Sequence, residues 1–330
     1  MKKQKKLVTA VINRLDILTV LVLTMILTLF FLSRNPKFLS MNNLFNLIQQ
    51  NASLIIVSVG MTFVIISGNM DLSSGSLIVL TACITGVIYR DAGSIWLGLA
   101  ACLISATLIG VINGFLIAYG RINAVIITLS CMVWARGLAL GITDTKSIAV
   151  PSPVLQAIYK PFAFSFVNIS FCIVLASLVL GWFLLTRTKF GRYAKALGEN
   201  EKATELAGVN TRRIKWLIFV FASFLSGVAS VIDLSRLGSA VTTIGNQMEM
   251  NAIVAVVIGG TKLRGGEGSF GKTICGLLFM CVLSNGLSTL GIMDNYLYLL
   301  KGVIILCALA IQMFSNRYRL YSLRRLNETE

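Results

Sequence analysis

The sequence predicts an all-α polytopic membrane protein of about ten transmembrane helices, with both termini inside and an inverted five-helix repeat. Composition is the first reason. Of 330 residues, 56% are hydrophobic and 13% charged, too apolar for a water-soluble domain, and the apolar residues gather in runs near the ~20 residues that cross a bilayer. Charge placement is the second: the net charge of +16 crowds the two ends and one internal segment, and Lys- and Arg-rich segments beside spans stay in the cytoplasm. The third is a recurrence of polar motifs. Asn113-Gly114, then Gly120 and Asn123, matches Asn285-Gly286, then Gly291 and Asn295; Gly68-Asn69 with Asp71 matches Gly245-Asn246 with Glu249. The pairs lie five spans apart, and an odd shift makes the halves inverted copies.

The whole chain, 1–330, reads as one transmembrane domain. Segment 1–14 carries Lys2, Lys3, Lys5 and Lys6 ahead of an apolar run. No small-x-small cleavage motif closes that run, so it reads as an uncleaved first span rather than a signal peptide. Six spans, at 15–32, 52–67, 72–89, 95–119, 122–142 and 166–185, fill 15–185 and return Arg187 to the side of the N-terminal lysines. Segment 144–164, with Pro151, Pro153 and Pro161, is expected to be an external loop with a short surface helix. Four more spans, at 214–232, 252–261, 270–291 and 296–314, lead to a cytoplasmic C-terminus, 315–330, bearing Arg317, Arg319, Arg324 and Arg325. The stretch 252–261 is short for a span. Dropping it would put those arginines, Lys262 and Arg264 outside, so it is counted, extended at its N-terminal side; eight spans plus a re-entrant pair is the alternative.

Segment 186–215 is the one long internal stretch that cannot sit in hydrocarbon. It holds Arg187, Lys189, Arg192, Lys195, Lys202, Arg212, Arg213 and Lys215 against Glu199, Glu201 and Glu205. Helix formers alternate with Gly191, Gly198 and Gly208, which suits short helices broken at glycine. It reads as a shaped cytoplasmic platform on which something cytosolic docks, not as a nucleic-acid site. The sequence has no histidine, which excludes His-based acid/base catalysis and His-ligated metals. The seven cysteines, at 83, 102, 131, 172, 275, 281 and 307, all fall in apolar runs without Cys-x-x-Cys spacing and read as small hydrophobes rather than ligands or disulfides. No metal or cofactor is expected.

Residues 266–273, GEGSFGKT, satisfy the P-loop pattern G-x-x-x-x-G-K-[ST]. A P-loop also needs a preceding strand in a covered parallel sheet and an acid that holds Mg²⁺. Here the following run is apolar on all faces and the only acids after Glu267 are Asp294, Glu328 and Glu330. The motif reads as a tight turn between spans eight and nine.

Asp71, in SGNMDLSSGS, is the only charge between Ala52 and Tyr89. It is either the cap of a tight turn or part of a broken helix whose exposed amides and hydroxyls face a pathway. The two readings are compatible. Arg136, in CMVWARGLAL, either faces a cavity, with Asp144 or Glu249 as partner, or snorkels outward. Of Trp96, Trp134, Trp182 and Trp216, only Trp134 is expected on a pathway; the others suit the interfacial belt.

At these residues the chain resembles the permease subunit of bacterial ABC importers for simple sugars, the ribose, xylose, arabinose and galactose type. The motifs are SVGMTFVIISGNMDLSSGSL, ITLSCMVWARG, TKFGRYAKALGENEKATELAGVNTRRIK and MNAIVAVVIGGTKLRGGEGSFGKTICG, within a resemblance that covers about 42–312. The family more often reads Gly-Gly-Ile-Asp-Leu-Ser-Val-Gly where Asn69, Met70 and Ser74 stand here, and its turn generally lacks the Lys-Thr ending; the first departure bears on substrate identity. The resemblance implies a multi-pass protein of the plasma (inner) membrane that is not itself an enzyme. It would carry a ribose-like pentose or related sugar, delivered by an extracytoplasmic binding protein, along a path enclosed with a second permease, a copy or a relative. A separate pair of cytosolic ATPases would grip the platform at Gly198, Glu199, Ala203, Glu205, Leu206, Ala207 and Gly208, with Ala203, Leu206 and Ala207 forming one small apolar face. Expected on the path are Asn69, Asp71, Ser73, Ser76, Asn113, Trp134, Arg136, Asn246 and Glu249. An ion-coupled secondary transporter of a small polar solute is the alternative, and it would need carboxylates within the spans. An intramembrane enzyme would need paired acids or a Ser, His or metal constellation that the sequence lacks.

Overall fold

The computed structural model describes residues 15–161, 167–290, 296, 299–311 and 313–314. The terminal Lys and Arg clusters, Asp294 and Asn295 lie outside the described residues. Two compact units divide the chain: residues 48–253 with 261–270, and residues 1–47, 254–260 and 271–330.

The larger unit is built around α3, Ala52–Ile66. All fifteen of its residues are buried, as expected of a helix apolar on every face. It follows α2, Met41–Gln50, with a bend of 51°. Around it stand α4, Ser74–Ala92, α5, Ile95–Ala118, α6, Ala124–Ile142, α8, Ile169–Arg187, and α11, Thr211–Leu237. α11 packs along α5, α3 and α4, while α4 packs against α5 and α6. The contact between α5 and α11 uses small residues, which lets helix backbones approach where no hydrophobic effect drives association. A Cβ on Gly110 would lie 2.5 Å from the Ser223 Cβ, and one on Gly114 2.9 Å from the Trp216 carbonyl oxygen. On the opposite face of α5, Ile104, Leu108, Ile112 and Phe115 are exposed, which suits lipid.

Helix starts follow local chemistry. Asn123, Asn168, Asn200 and Asn210 each accept a backbone N–H of the first turn that follows, a cap contributing about 1 kcal/mol. The expected surface helix is α7, Pro153–Tyr159, with proline in its first turn. α11 stops at Gly238, in the left-handed region at φ 63°. The chain then runs extended, and its open backbone groups find partners in an antiparallel pairing of β1, Ile148–Ala149, with β2, Ser239–Ala240. This short pairing departs from the all-helical expectation. The platform folds as two short helices, α9, Lys189–Glu199, and α10, Glu201–Leu206.

In the smaller unit, α1, Leu15–Arg34, presents Phe31 to the bare Cα of Gly286 on α13, Phe270–Thr289, where any Cβ would overlap the ring. Asn43 Nδ2 donates to Asn285 Oδ1 at 3.0 Å. The remaining helices are α12, Met248–Ile258, which crosses from one unit into the other, and α14, Leu299–Ile311.

Among the described residues, each of the ten expected apolar segments contains a helix, but their lengths differ. Seven helices among the described residues are long and apolar enough to cross a membrane, or eight if the bent α2–α3 pair counts as one span. α12 begins at Met248, so the expected N-terminal extension is present, yet its eleven residues rise only about 16 Å against a hydrocarbon core of about 30 Å. α2 was not anticipated, because its polar residues interrupt the apolar pattern.

Candidate functional site

Residues 67–73 interrupt the helical path between α3 and α4 in the larger unit, with Gly68 exposed and Asp71 and Ser73 buried. Gly68 takes the left-handed φ of 77° that lets the chain turn out of α3, a conformation costly to any residue with a Cβ. Asn69 Nδ2 then donates to the carbonyl and hydroxyl oxygens of Ser67, both at 3.1 Å. Asp71 is buried. Its Oδ1 accepts the Ser73 N–H at 2.8 Å and the Ser73 hydroxyl at 2.6 Å, and its Oδ2 accepts the Ser74 hydroxyl at 3.2 Å. The carboxylate thus folds a tight turn onto Ser73, the residue that precedes α4, beside a helix N-terminus whose dipole favours negative charge, within a non-helical segment. Ser76 and Asn113 are also buried, and the Ser76 Oγ and Asn113 Nδ2 have no hydrogen-bond partner among the described residues.

A second group forms on α6. Arg136 Nη1 donates to Asn246 Oδ1 at 3.4 Å. Both line a hollow of ≈470 Å³ with Met132, Val133, Gly137, Leu140 and Glu249. Glu249 is buried, at 8% exposure, and its Oε2 abuts the Gly75 Cα, where any Cβ would overlap it. Residues 245–247 are held in an unusual shape to present these groups: Gly245 and Gln247 both have positive φ, 71° and 58°. Of the two partners considered for Arg136, Glu249 shares its hollow and the exposed Asp144 does not. Trp134, 45% exposed, lies outside that hollow.

The platform is joined to the Asp71 loop by backbone. A Cβ on Gly198, near the end of α9, would overlap the carbonyl oxygen of Ile66, and one on Gly265 would lie 2.6 Å from the Gly68 Cα. The Gly266 N–H donates to the Ile66 carbonyl at 2.9 Å. Three segments, the ends of α3 and α9 and the turn at 262–268, therefore meet without side chains between them. Beyond this junction Glu199, Ala203, Glu205, Leu206, Ala207 and Gly208 are all exposed, Leu206 at 89%. Glu201 accepts from Lys215 Nζ at 2.8 Å. Between α10, residues 68–70 and the α5–α6 turn lies a second hollow of ≈690 Å³ that Arg121 and Asn123 help to line.

The P-loop-like residues have other uses. The Gly266 amide is bonded as above, Glu267 pairs with Lys262 at 2.6 Å, Lys272 Nζ donates to the Gly260 carbonyl at 3.4 Å, and Thr273 is fully buried. A P-loop needs those amides, that ammonium and that hydroxyl turned toward phosphate and Mg²⁺.

Sequence reasoning missed Asp233. It ended the span at 232, whereas α11 continues to Leu237, and Asp233 lies buried in it with Arg236 at 3.6 Å. A carboxylate one turn before the helix end was the available signal. The buried pair of Gln49 Nε2 and Asn168 Oδ1, 2.7 Å apart, joins residues too distant in sequence to connect by reading.

A family model described as "Branched-chain amino acid transport system / permease component" matches residues 43–309. The chain belongs to this permease family. Its members are transport subunits, and with seven or more long apolar helices this permease is a multi-pass membrane protein. It is 38% identical over 277 residues to the ribose import permease protein RbsC of Haemophilus influenzae, covering 83% of this chain and 86% of the relative. The RbsC of Escherichia coli K12 is 35% identical over 287 residues, covering 84% and 87%. The L-arabinose transport system permease protein AraH of E. coli K12 is 34% identical over 268 residues, covering 79% of each. No solved structure gives a significant match.

Proposed function

We propose that this permease forms the translocation path of an ABC importer for a monosaccharide, a ribose-like pentose or related sugar, in the plasma (inner) membrane. An extracytoplasmic binding protein delivers the sugar and cytosolic ATPases supply the energy. The relatives named for ribose and L-arabinose support the sugar class. Ten spans with both termini inside, a second permease copy or relative, and an inverted repeat complete the reading. The two Asn-Gly pairs, 113–114 and 285–286, both lie on buried faces of their helices, which supports the repeat.

The observation that carries the coupling role is the exposed apolar face of α10 and its cap, Ala203, Leu206 and Ala207, standing on the glycine junction. Leu206, 89% exposed, adjoins the exposed Ala203 and Ala207 in one small apolar face that a partner would cover, and the backbone contacts behind it let a push on α9–α10 reach the Asp71 loop without side-chain give. Replacing Ala207 with Trp overfills the partner's groove. The expected result is a folded, inserted permease that fails to retain its ATPases during purification; full retention with normal sugar uptake overturns the docking assignment.

A second reading is an ion-coupled secondary transporter, favoured by the buried carboxylates Asp71, Asp233 and Glu249. Asp71 is committed to Ser73 and Ser74 and Asp233 to Arg236, which leaves few groups for ion exchange. Uptake in vesicles that requires internal ATP and added binding protein supports the importer; uptake driven by an ion gradient alone supports the rival.

A further inference from the structure

α6 carries a glycine that packing does not explain. Gly137 lies in mid-helix, where glycine costs about 0.5–1 kcal/mol against alanine, yet a Cβ there would meet nothing within 4 Å among the described residues. The space it leaves is the ≈470 Å³ hollow, inside the ~300–1,000 Å³ range of small-molecule sites. Its wall is apolar, from Met132, Val133 and Leu140, with three polar groups at one side: Arg136, Asn246 and Glu249. The chemistry of those three is complementary. Arg136 offers only donors, the Glu249 carboxylate only acceptors, and the Asn246 amide both. Glu249 lines the hollow with its Oε2 turned to the bare Cα of Gly75 on α4, where any Cβ would overlap it, so the carboxylate is held in place from behind. One cation and one anion leave the site with no net formal charge, which suits an uncharged cargo.

We infer that this hollow is a cargo-reading site of the permease itself, binding an uncharged sugar through a pair of adjacent hydroxyls. One hydroxyl donates to Glu249 while the neighbouring hydroxyl oxygen accepts from Arg136. Asn246 bridges to either, and the C–H face of the ring lies on Met132, Val133 and Leu140. Selectivity is then set in the membrane as well as by the delivering protein. The inference rests on the proposed sugar importer and deepens it.

The test uses the complete importer, permease with ATPases and loaded binding protein, in proteoliposomes with radiolabelled D-ribose, L-arabinose and D-xylose. Glu249→Gln retains the shape of the side chain and removes one charged acceptor, Asn246→Ala alters an exposed side chain, and Gly137→Leu fills the hollow from a position with free space. The expected result is uptake lowered about tenfold, the loss of roughly 1.4 kcal/mol of interaction with the moving sugar, with a changed ratio among the three sugars. ATP hydrolysis stimulated by the binding protein stays at its original rate. Unchanged rates and ratios in all three variants overturn the inference while leaving the importer intact. Separation of the permease copies by Gly137→Leu also overturns it, because the face would then be a helix contact made through Gly137 and Gly141. No uptake of any sugar by the unaltered complex overturns the sugar reading itself, and this inference with it.

Discussion

Glycine does opposite work at the platform junction and on α6. Around Gly198, Gly265 and Gly266 the missing Cβ is replaced by another segment's backbone, so that three chain segments touch main chain to main chain. At Gly137 the missing Cβ is replaced by nothing. The first arrangement is stiff, because close-packed backbone has no rotamers to absorb a displacement; the second leaves open space beside Arg136 and Glu249. The same residue type therefore marks a stiff joint in one region and a vacant space in the other, and only the surroundings tell them apart.

The sharpest way to break this contrast is Gly198→Val. Its Cβ would meet the Ile66 carbonyl oxygen and the Gly266 amide, and overpacking costs about 1–3 kcal/mol or more when the obstacle cannot move. A clear fall in melting temperature and loss of transport are expected; a variant with the original stability would show that the junction is loose. Gly137→Ala should act in the other direction. With open space around the new methyl, the helix gains about 0.5–1 kcal/mol, read as a rise in the unfolding midpoint; a fall would mean that Gly137 is a packing glycine after all. The smallest effect belongs to Lys272→Ala. Gly259 packs against the Lys272 backbone, and that contact survives the substitution, so stability and ATP-dependent uptake should stay at their original levels. Labelling of this chain by a photoreactive ATP analogue that the substitution abolishes would contradict the reading of GEGSFGKT as a turn.

Periodicity and charge made much of this molecule legible. Apolar runs placed a helix at each of the ten expected segments, and the Lys- and Arg-rich stretch at 186–215 located α9 and α10. Both signals are local: a helix satisfies its own backbone groups, and water or lipid decides which side chains each stretch tolerates. Even the Asx-type contacts of Asp71 with Ser73 and Ser74 lie within three residues, so turn chemistry sufficed to suggest them. Span length was less legible. α12 stops at eleven residues and α3 follows a 51° bend, because hydrophobicity reports what a segment avoids and not how far a helix continues. Asp233 was lost for the same reason, when the span was ended at 232.

What the tertiary structure alone decided is which distant residues meet. Arg136 and Asn246 are 110 positions apart, β1 and β2 pair across the intervening helices, and Gly198 meets Ile66 and Gly266 from three separate segments. Sequence determines each segment's preference for lipid, water or a turn, since those preferences are properties of short stretches. Whether a glycine abuts a carbonyl or an empty hollow depends on the neighbour that packing brings to it, and that neighbour comes from elsewhere in the chain.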